Sequence, residues 1–308
     1  MTFYAMAGVT ARFGHPIDGV LRRSGMKMSI DDYKERTERL NLDGIDFDAF
    51  RDDPLSADAL RVLHYMHDVE YHTVCYLRDL LVTRAHADPE ITTFLTFWVF
   101  EEFWHGEALA KVLATHDEPH GEGEVGALRT RIRARDRFAP VWSAVGSALI
   151  GSSFTAVHMT WGAVNEWTTQ AGYARLSQLA GHPVLTELLK RIMKQEGRHI
   201  DFYAAQATQR LTDNTKAQRA TRFALKHLWS PVGASVMPDA EVEFLVRYLL
   251  GGDDGLATAQ RIDRRVDRLP GLAGLNLLTN TVAAHQAGAP VSPPVRQPAA
   301  PMASLRAA

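Results

Sequence analysis

The sequence predicts an all-α protein in which four long helices form a bundle and shorter helices follow it. Apolar residues recur every three or four positions through four long stretches, which is the spacing of one helix face. Ser, Asp, Gly and Pro stand where these stretches begin or end, as capping residues do. With 308 residues, 46% of them apolar and 23% charged, the chain can bury the core that such a bundle needs.

The chain divides into four predicted regions: an N-terminal extension packing on the bundle (1–54), the bundle (55–213), a C-terminal helical extension of the same domain (214–286) and a disordered tail rich in Pro and Ala (287–308). The net charge of -2 gives no case for nucleic acid. The single cysteine, Cys75, excludes an intrachain disulfide framework and a cysteine-ligated metal site, which fits a cytoplasmic protein. Residues 1–14 lack the basic region of a secretory signal.

The first two long helices are predicted from their caps and apolar stripes. A short helix, 31–40, and a turn-rich link, 41–54, precede the first, which begins at Ser56 or Asp58 because either side chain can cap a helix. The second covers 88–114. The stripes that predict their buried faces are Leu63, Met66, Val74, Leu77 and Leu81 in the first helix, and Ile91, Phe94, Trp98, Leu109 and Val112 in the second.

Two segments that precede the third long helix are interpreted from composition. The Gly, Pro, Asp and Glu of 115–126 predict a loop. Five arginines follow at a spacing of two, which spreads them around a helix and favours a solvated helix start over a docking patch. They are Arg129, Arg131, Arg133, Arg135 and Arg137.

The run 138–165 contains no charged residue and is long enough to cross a bilayer. It is interpreted as a buried core helix instead of a membrane span, because it is rich in Ser, Thr and Gly and contains His158. It also leads directly into Glu166, with no second span to pair with. This third long helix is expected to reach about residue 179, with a break near Gly151.

Gly181-His182-Pro183 ends the third long helix and starts the fourth, because Gly favours a left-handed C-terminal cap and Pro the first helical turn. The fourth helix is predicted over 184–211. Shorter helices that pack on the bundle are predicted near 216–228, 239–250, 256–268 and 272–285.

The predicted core faces of the four long helices also carry ionisable side chains, for which an apolar core has no other use. The first and third helices each place one carboxylate there, and the second and fourth each place a Glu and, three residues later, a His on one face. These residues are Glu70, Glu102 with His105, Glu166, and Glu196 with His199. The pattern is that of a di-metal carboxylate site in a helical bundle. Four buried carboxylates are costly alone, but two divalent ions supply four balancing positive charges.

Residues beside Glu70 leave alternatives for its position. Asp68 or His67 can replace or supplement it, although Asp68 lies off the apolar stripe and His67 fits better as a residue that orients a ligand. Three further histidines are interpreted as structural: His64, His72 and His158. Oxygen-rich ligation with one imidazole per ion suits iron better than zinc, and manganese or a mixed Mn/Fe pair is the alternative.

Several motifs resemble those of the soluble acyl-[acyl-carrier-protein] desaturases, a family of the ferritin-like superfamily. The segment 101–107, Glu-Glu-Phe-Trp-His-Gly-Glu, with Leu109, Lys111 and Leu113 after it, is similar to the family's Glu-Glu-x-x-His-Gly-acid motif and its trailing Leu-x-Lys-x-Leu. Arg198-His199 resembles the second motif. Glu166 followed by Thr169 resembles the third-helix ligand and the threonine that assists oxygen chemistry. The resemblance covers about residues 57–211.

The resemblance implies a ferritin-like bundle that holds two iron ions in a homodimeric enzyme. Such an enzyme takes electrons from a ferredoxin-like donor and uses dioxygen to remove two hydrogens from an acyl chain on acyl carrier protein, or from another small apolar substrate. Two departures concern the family's route of electron entry. Gln195 stands where the family commonly has Asp, and no Trp precedes Trp98.

Other functions use similar ligands. A di-iron oxygenase that hydroxylates or N-oxygenates a small molecule is the main alternative, although Ile192 stands where the N-oxygenases tend to have an extra histidine. A non-catalytic module that keeps the metals for stability is another. Leu109 occupies the position of the radical tyrosine of ribonucleotide reductase, and one cysteine cannot supply a rubrerythrin site. The long C-terminal extension argues against ferritin.

Overall fold

The computed structural model describes residues 29–286, apart from the side chains of 125, 131 and 133–136. Within this range the protein is all-α and has no strand. The predicted tail, 287–308, and most of the predicted N-terminal extension lie outside the described residues. The helices are α1 (Ile30–Arg36), α2 (Ala49–Asp52), α3 (Ala57–Leu81), α4 (Pro89–Thr115), α5 (Gly121–Arg131), α6 (Arg133–Ile150), α7 (Phe154–Ala180), α8 (Pro183–Leu211), α9 (Thr215–Leu228), α10 (Asp239–Leu250), α11 (Gly252–Asp267) and α12 (Leu277–Gln286).

The four longest helices, α3, α4, α7 and α8, form a helical bundle. α3 packs on α4 and α7 packs on α8, and these two pairs meet where α4 contacts α8 and α3 contacts α7. The connection within each pair is short, whereas α5 and α6 make the long crossover from α4 to α7. The bundle therefore consists of two helical hairpins that face each other. α10 packs on α3 and α7, and α11 packs on α7, so the C-terminal helices cover one side of the bundle.

Predicted capping residues stand at the start of α3, α4 and α8 and at the end of α7. The Ser56 side chain accepts a hydrogen bond from the backbone N–H of Ala59, so Ser56 caps α3. Asp88 caps α4 in the same way. Gly181 ends α7 with a φ of 66°, a left-handed conformation that Gly adopts without strain. His182 then caps α8 through its side chain.

The loop predicted over 115–126 is confirmed at 116–120 but wrong from Gly121 onward, where α5 begins. Leu128 is the buried apolar residue of α5, and the helix is polar on its other described sides, so no apolar periodicity predicts it. The helix predicted over 31–40 ends earlier, at Arg36. Of the five arginines that follow 126, Arg129 donates to the backbone oxygen of Tyr71 and Arg137 is exposed.

The predicted stripe of α3 is only partly buried. Leu63 and Met66 lie in the core, but Val74 is 49% exposed and Leu81 is 46% exposed. A straight helix turns away from a fixed spacing as it lengthens, so over the 25 residues of α3 the buried face shifts to other positions. Leu80 is buried in place of its neighbour.

Arg137–Ala180 is the one helical run of the described chain that is long and apolar enough to cross a membrane. It is broken at Gly151, where φ is 69°, as the sequence predicts. Within its most apolar window 22% of the residues are buried. The interpretation as a core helix therefore holds for α7 and is wrong for α6. α6 lies on the outside of the bundle and packs on α3, which leaves its other face exposed: Phe138, Val141, Trp142, Val145 and Leu149.

Candidate metal centre

Six side chains from α3, α4, α7 and α8 converge at the centre of the bundle. They are Glu70, Glu102, His105, Glu166, Glu196 and His199, and each is at most 5% exposed. They fall into two groups of four, and in each group the ligand atoms lie within 4.8 Å of one another. Glu102 and Glu196 belong to both groups, while each of the others belongs to one. Two metal ions sharing two bridging carboxylates would use this arrangement.

Both histidines turn their Nδ1 atoms toward the shared carboxylates. The Nδ1 of His105 lies 3.3 Å from Glu196 Oε1 and 3.6 Å from Glu102 Oε2. The Nδ1 of His199 lies 3.0 Å from Glu102 Oε1 and 3.0 Å from Glu196 Oε2. The spacing of three residues on α4 and on α8 produces this, because it puts each Glu and its His on one face.

Acceptors behind each imidazole fix its tautomer. His105 donates from Nε2 to Gln195 Oε1 at 2.9 Å, and His199 donates from Nε2 to Glu101 Oε2 at 2.9 Å. The Gln195 amide is itself oriented, because its Nε2 donates to the backbone oxygen of Glu38. Since the amide oxygen and the carboxylate accept these bonds, Nε2 keeps its proton and Nδ1 is the nitrogen available to a metal.

Glu101 is fully buried and accepts hydrogen bonds from four groups. These are the hydroxyl of Tyr33 at 2.9 Å, the backbone N–H of Glu38 at 3.4 Å, the guanidinium of Arg198 and the Nε2 of His199. Burial acts to raise the pKa of Glu101, but its bond with His199 and the charge of Arg198 outweigh burial and lower it. Glu101 therefore stays ionised and links His199 to Arg198 near the surface.

The two unshared carboxylates each have one oxygen held by a fixed donor. The hydroxyl of Tyr173 donates to Glu70 Oε1, and the indole N–H of Trp98 donates to Glu166 Oε1 at 2.9 Å. Glu166 Oε2 instead faces the centre, 3.7 Å from the Nδ1 of His199. These donors orient the carboxylates before any ion binds.

Protons balance the charge of the metal-free centre. Burial, with repulsion from Glu102, raises the pKa of Glu70 well above its ordinary value, and burial does the same for Glu166. Burial acts to lower the pKa of His105, but its pairing with Glu102 and Glu196 outweighs this and raises the pKa to about 10. Burial also acts to lower the pKa of His199, but its interactions with Tyr33 and several carboxylates outweigh burial and raise the pKa.

Two buried atoms at the centre have no hydrogen-bond partner: His105 Nδ1 and Glu196 Oε1. They lie 3.3 Å apart, so an ion with ligands at about 2.1 Å fits between them. Oxygen and imidazole ligands with four carboxylates suit two divalent ions of the first transition row. The residues present therefore fit a pair of metal ions.

Glu70, rather than Asp68 or His67, is the α3 residue in the groups at the centre. Asp68 lies in a third group, with His64 and Glu124. His67 is fully buried and hydrogen bonds to Asp68. The two alternatives to Glu70 thus face α5 instead of the centre of the bundle.

A cavity of about 70 Å³ lies beside Glu70, between the bundle and the C-terminal helices. Glu70, Thr168, Thr169 and Tyr173 are its polar lining, together with Thr281 at the α12 side. The other lining residues are mainly apolar: Tyr65, Met66, Val69, Gly172, Pro231, Val232, Leu245, Val246, Leu249, Leu250 and Leu278. Thr169 therefore borders a mainly apolar cavity that one residue of the metal centre, Glu70, also lines.

Comparison with known proteins finds no match to this chain. No protein family profile, curated protein or solved structure is significantly similar to it. The case for a function therefore depends on the geometry of the centre and of the cavity.

Sequence reasoning misses most residues that surround the ligands. One signal was present, because an acid or amide precedes the Glu of both Glu-x-x-His motifs: Glu101 and Gln195. Each binds the histidine of the opposite motif, His199 and His105 respectively. Tyr33 could not be found this way, because its contact with Glu101 spans 68 residues of sequence.

Proposed function

We propose that this protein is a cytoplasmic, homodimeric, non-haem di-iron oxidoreductase with a ferritin-like bundle, which desaturates an acyl chain carried on acyl carrier protein. The observation that carries the proposal is the pair of overlapping ligand groups, with both Nδ1 atoms turned toward two shared carboxylates. When bound, two irons supply the reductive activation of dioxygen. One CH₂–CH₂ unit loses two hydrogens, dioxygen takes up these with two electrons and two protons, and two waters leave.

The residues of the chain have distinct tasks in this reaction. Glu70, Glu102, His105, Glu166, Glu196 and His199 hold the metals. Gln195 and Glu101 keep the imidazoles in the metal-binding tautomer. Thr169 supplies a hydroxyl on the cavity side that can hold or pass a proton. The apolar lining of the cavity binds the substrate and excludes water from the reacting carbons.

A basic cleft on the protein supports the proposal that the electron donor is an acidic protein of the ferredoxin type. This cleft, of about 620 Å³, includes Lys194, Arg198, Arg265 and Arg268 in its lining, with Asp201 as its acidic member. Arg198 contacts Glu101, which in turn accepts from His199. A donor bound in the cleft would be connected to the ligand His199 through two contacts, Arg198 with Glu101 and Glu101 with His199. This route avoids the two positions, Gln195 and the one before Trp98, at which the chain departs from the family pattern.

The size of the cavity favours a second candidate. A volume of about 70 Å³ is below the 300–1,000 Å³ of typical ligand pockets, so it holds a small apolar molecule more readily than a long acyl chain. A di-iron oxygenase would place one oxygen atom in such a substrate and reduce the other to water with two electrons and two protons. A long acyl chain would fit only if α10 and α12, which line the cavity, moved outward, so the desaturase proposal requires this movement.

The test begins with the metal content of the purified protein and of Glu196→Ala, with Glu187→Gln as a surface control. We expect two irons per chain in the wild type and the control, and at least one fewer in Glu196→Ala, because Glu196 belongs to both ligand groups. Full retention of two irons in Glu196→Ala would contradict the assignment of the centre.

The reduced protein is then exposed to dioxygen with and without an acyl chain on acyl carrier protein. An alkene product, with oxidation accelerated by the acyl carrier, supports the desaturase. An alcohol or N-oxide from a small molecule supports the oxygenase instead. A diferrous protein that dioxygen fails to oxidise would favour a non-catalytic module and overturn both.

A further inference from the structure

A second set of metal-ligating side chains lies between α3 and α5, apart from the centre of the bundle. His64, Asp68 and Glu124 each place one ligand atom within 4.8 Å of the other two. His64 and Asp68 stand four residues apart, and so project from one face of α3. Glu124 projects from the first turn of α5. None of the three belongs to either group at the di-metal centre.

An unpaired nitrogen points to a missing ligand at this place. The Nε2 of His64 is shielded from solvent and has no hydrogen-bond partner. It lies 4.0 Å from Glu124 Oε1, which is too long for a hydrogen bond. An ion with bonds of about 2.0–2.2 Å spans this separation only at a wide angle, so a tetrahedral ion would draw the two side chains closer by roughly half an ångström. The side chains of His64 and Glu124 are 28% and 24% exposed, so a small movement of either would admit an ion to the shielded nitrogen.

The third ligand, Asp68, is held in place by His67. The backbone N–H of Gly121 donates to His67 Nε2 at 2.9 Å, so the proton of this ring lies on Nδ1. Nδ1 then donates to Asp68 Oδ1 at 3.0 Å. This bond orients a carboxylate that is only 3% exposed and leaves its other oxygen available. A histidine bonded to a ligating carboxylate is a common support of metal sites.

We propose that His64, Asp68 and Glu124 form a mononuclear site for a divalent transition-metal ion, and zinc serves as the probe of this site. Zinc accepts imidazole nitrogens and carboxylate oxygens as ligands, and a water can occupy the fourth position. The proposal does not depend on the di-iron centre or on its reaction.

The site would fasten the crossover to the bundle. Leu128 is the buried apolar residue of α5 among those whose side chains the structure describes, so apolar burial attaches this helix weakly. Its contacts with α3 are mainly polar: Gly121 with His67, Glu124 with His64, and Arg129 with the backbone of Tyr71. An ion bound to both helices adds the fixed link that these contacts lack.

Zinc binding is measured in Glu196→Ala, which weakens the di-metal centre, and in the iron-loaded wild type with iron assayed before and after. In both proteins we expect one zinc per chain at micromolar free zinc, in addition to any metal held at the centre of the bundle. His64→Gln and Glu124→Gln should each raise its dissociation constant at least tenfold. His120→Gln is the matched control, because His120 is exposed beside the same helix and should leave binding unchanged.

Anomalous scattering at the zinc edge locates the ion. The rate of amide hydrogen exchange in α5 shows whether the ion fastens α5 to α3. A peak between His64 and Glu124, with slower exchange of α5 amides on zinc addition, supports the site. Equal zinc binding by His64→Gln and His120→Gln, or no zinc beyond the centre, overturns it. If His64→Gln fails to fold, Glu124→Gln decides, because its side chain lies on the outer helix.

Discussion

The buried histidines of this protein have opposite electrostatic surroundings. His105 and His199 face carboxylates, which raise their pKa values although burial acts to lower them. His158 has no such compensation, and burial lowers its pKa to about 3. Its Nδ1 lies 3.3 Å from the hydroxyl of Tyr76, which can donate to it. His158 is therefore neutral in the folded protein at neutral pH.

We predict that His158→Gln reduces the sensitivity of the fold to mild acid. In the unfolded chain His158 takes up a proton near its ordinary pKa of 6.5, whereas in the folded protein it does so only near 3. The unfolded state therefore binds more protons between these values, and stability falls as pH falls through this window. Between pH 7 and pH 5 this group removes about 2 kcal/mol from the free energy of unfolding, at about 1.4 kcal/mol per unit below 6.5.

Urea unfolding of the metal-free protein at pH 7 and pH 5 measures this effect. The loss of stability between the two values should be smaller in His158→Gln than in the wild type, because Gln does not titrate. The metal ligands titrate in both proteins, so the difference between them isolates His158. Identical losses would contradict the prediction.

Spacing predicts residues that share one helix face, and this explains which residues of the centre could be predicted. Glu102 with His105 and Glu196 with His199 follow from a separation of three, and the structure brings them together with Glu70 and Glu166. The residues behind them depend on contacts between distant segments. Glu101 meets Arg198 and His199 across nearly 100 residues, and no local pattern carries that information.

At the scale of helices, close packing of α7 on α8 depends on a glycine. A Cβ atom at Gly162 would overlap the ring of Tyr203, which is 1% exposed and packs at the edge of Trp98 and Phe94. The absence of a side chain lets the two helices approach at this level. Tyr203 in turn packs near the ligands, because Glu166 is one turn further along α7.

We predict that Gly162→Ala destabilises the protein, although Ala is the better helix former. The added methyl forces Tyr203 or the backbone of α8 to move, and such overpacking costs about 1–3 kcal/mol. Gly146→Ala is the matched control, because a Cβ at Gly146 of α6 meets nothing within 4 Å. It should gain up to about 1 kcal/mol from helix propensity. Urea midpoints that shift equally in both variants would contradict this account.

Helix prediction succeeded where apolar periodicity met a capping residue and failed in the crossover. α4 and α8 have both signals, and their bounds lie within one residue of the prediction. α5 has no apolar stripe, so its composition resembled a loop. α6 has an apolar stripe but lies outside the bundle. The sequence could not show this, because an apolar stripe predicts that a helix face is apolar and not which partner covers it.

At the scale of the whole molecule, the cavity lies between two parts of the chain, the bundle and the C-terminal extension. α3 and α7 of the bundle form one wall, and α10 and α12 of the C-terminal extension form the other. Gly172 lies on the bundle wall, where a Cβ would contact Met66 at 3.4 Å and Leu249 at 3.5 Å. The extension is therefore a part of the proposed substrate site as well as a cover for the bundle.

We predict that Gly172→Leu fills the cavity and abolishes substrate turnover while two irons remain bound. Gly172→Ala is the control, since its methyl makes ordinary contacts and should retain turnover. Iron content, dioxygen uptake and product formation are measured in both variants. Undiminished product formation by a folded Gly172→Leu protein would exclude this cavity as the substrate site.

The two facing hairpins also set a time order for the synthesis of the protein. Each ligand group takes residues from both hairpins, and Glu196, which both groups share, lies 90 or more residues after Glu102. A nascent chain on the ribosome can fold α3 and α4 long before α8 emerges. At that stage it has Glu70, Glu102 and His105, but not the ligands of the second hairpin that complete either group. A metal ion could therefore bind to a complete ligand group only after both halves of the bundle have come together.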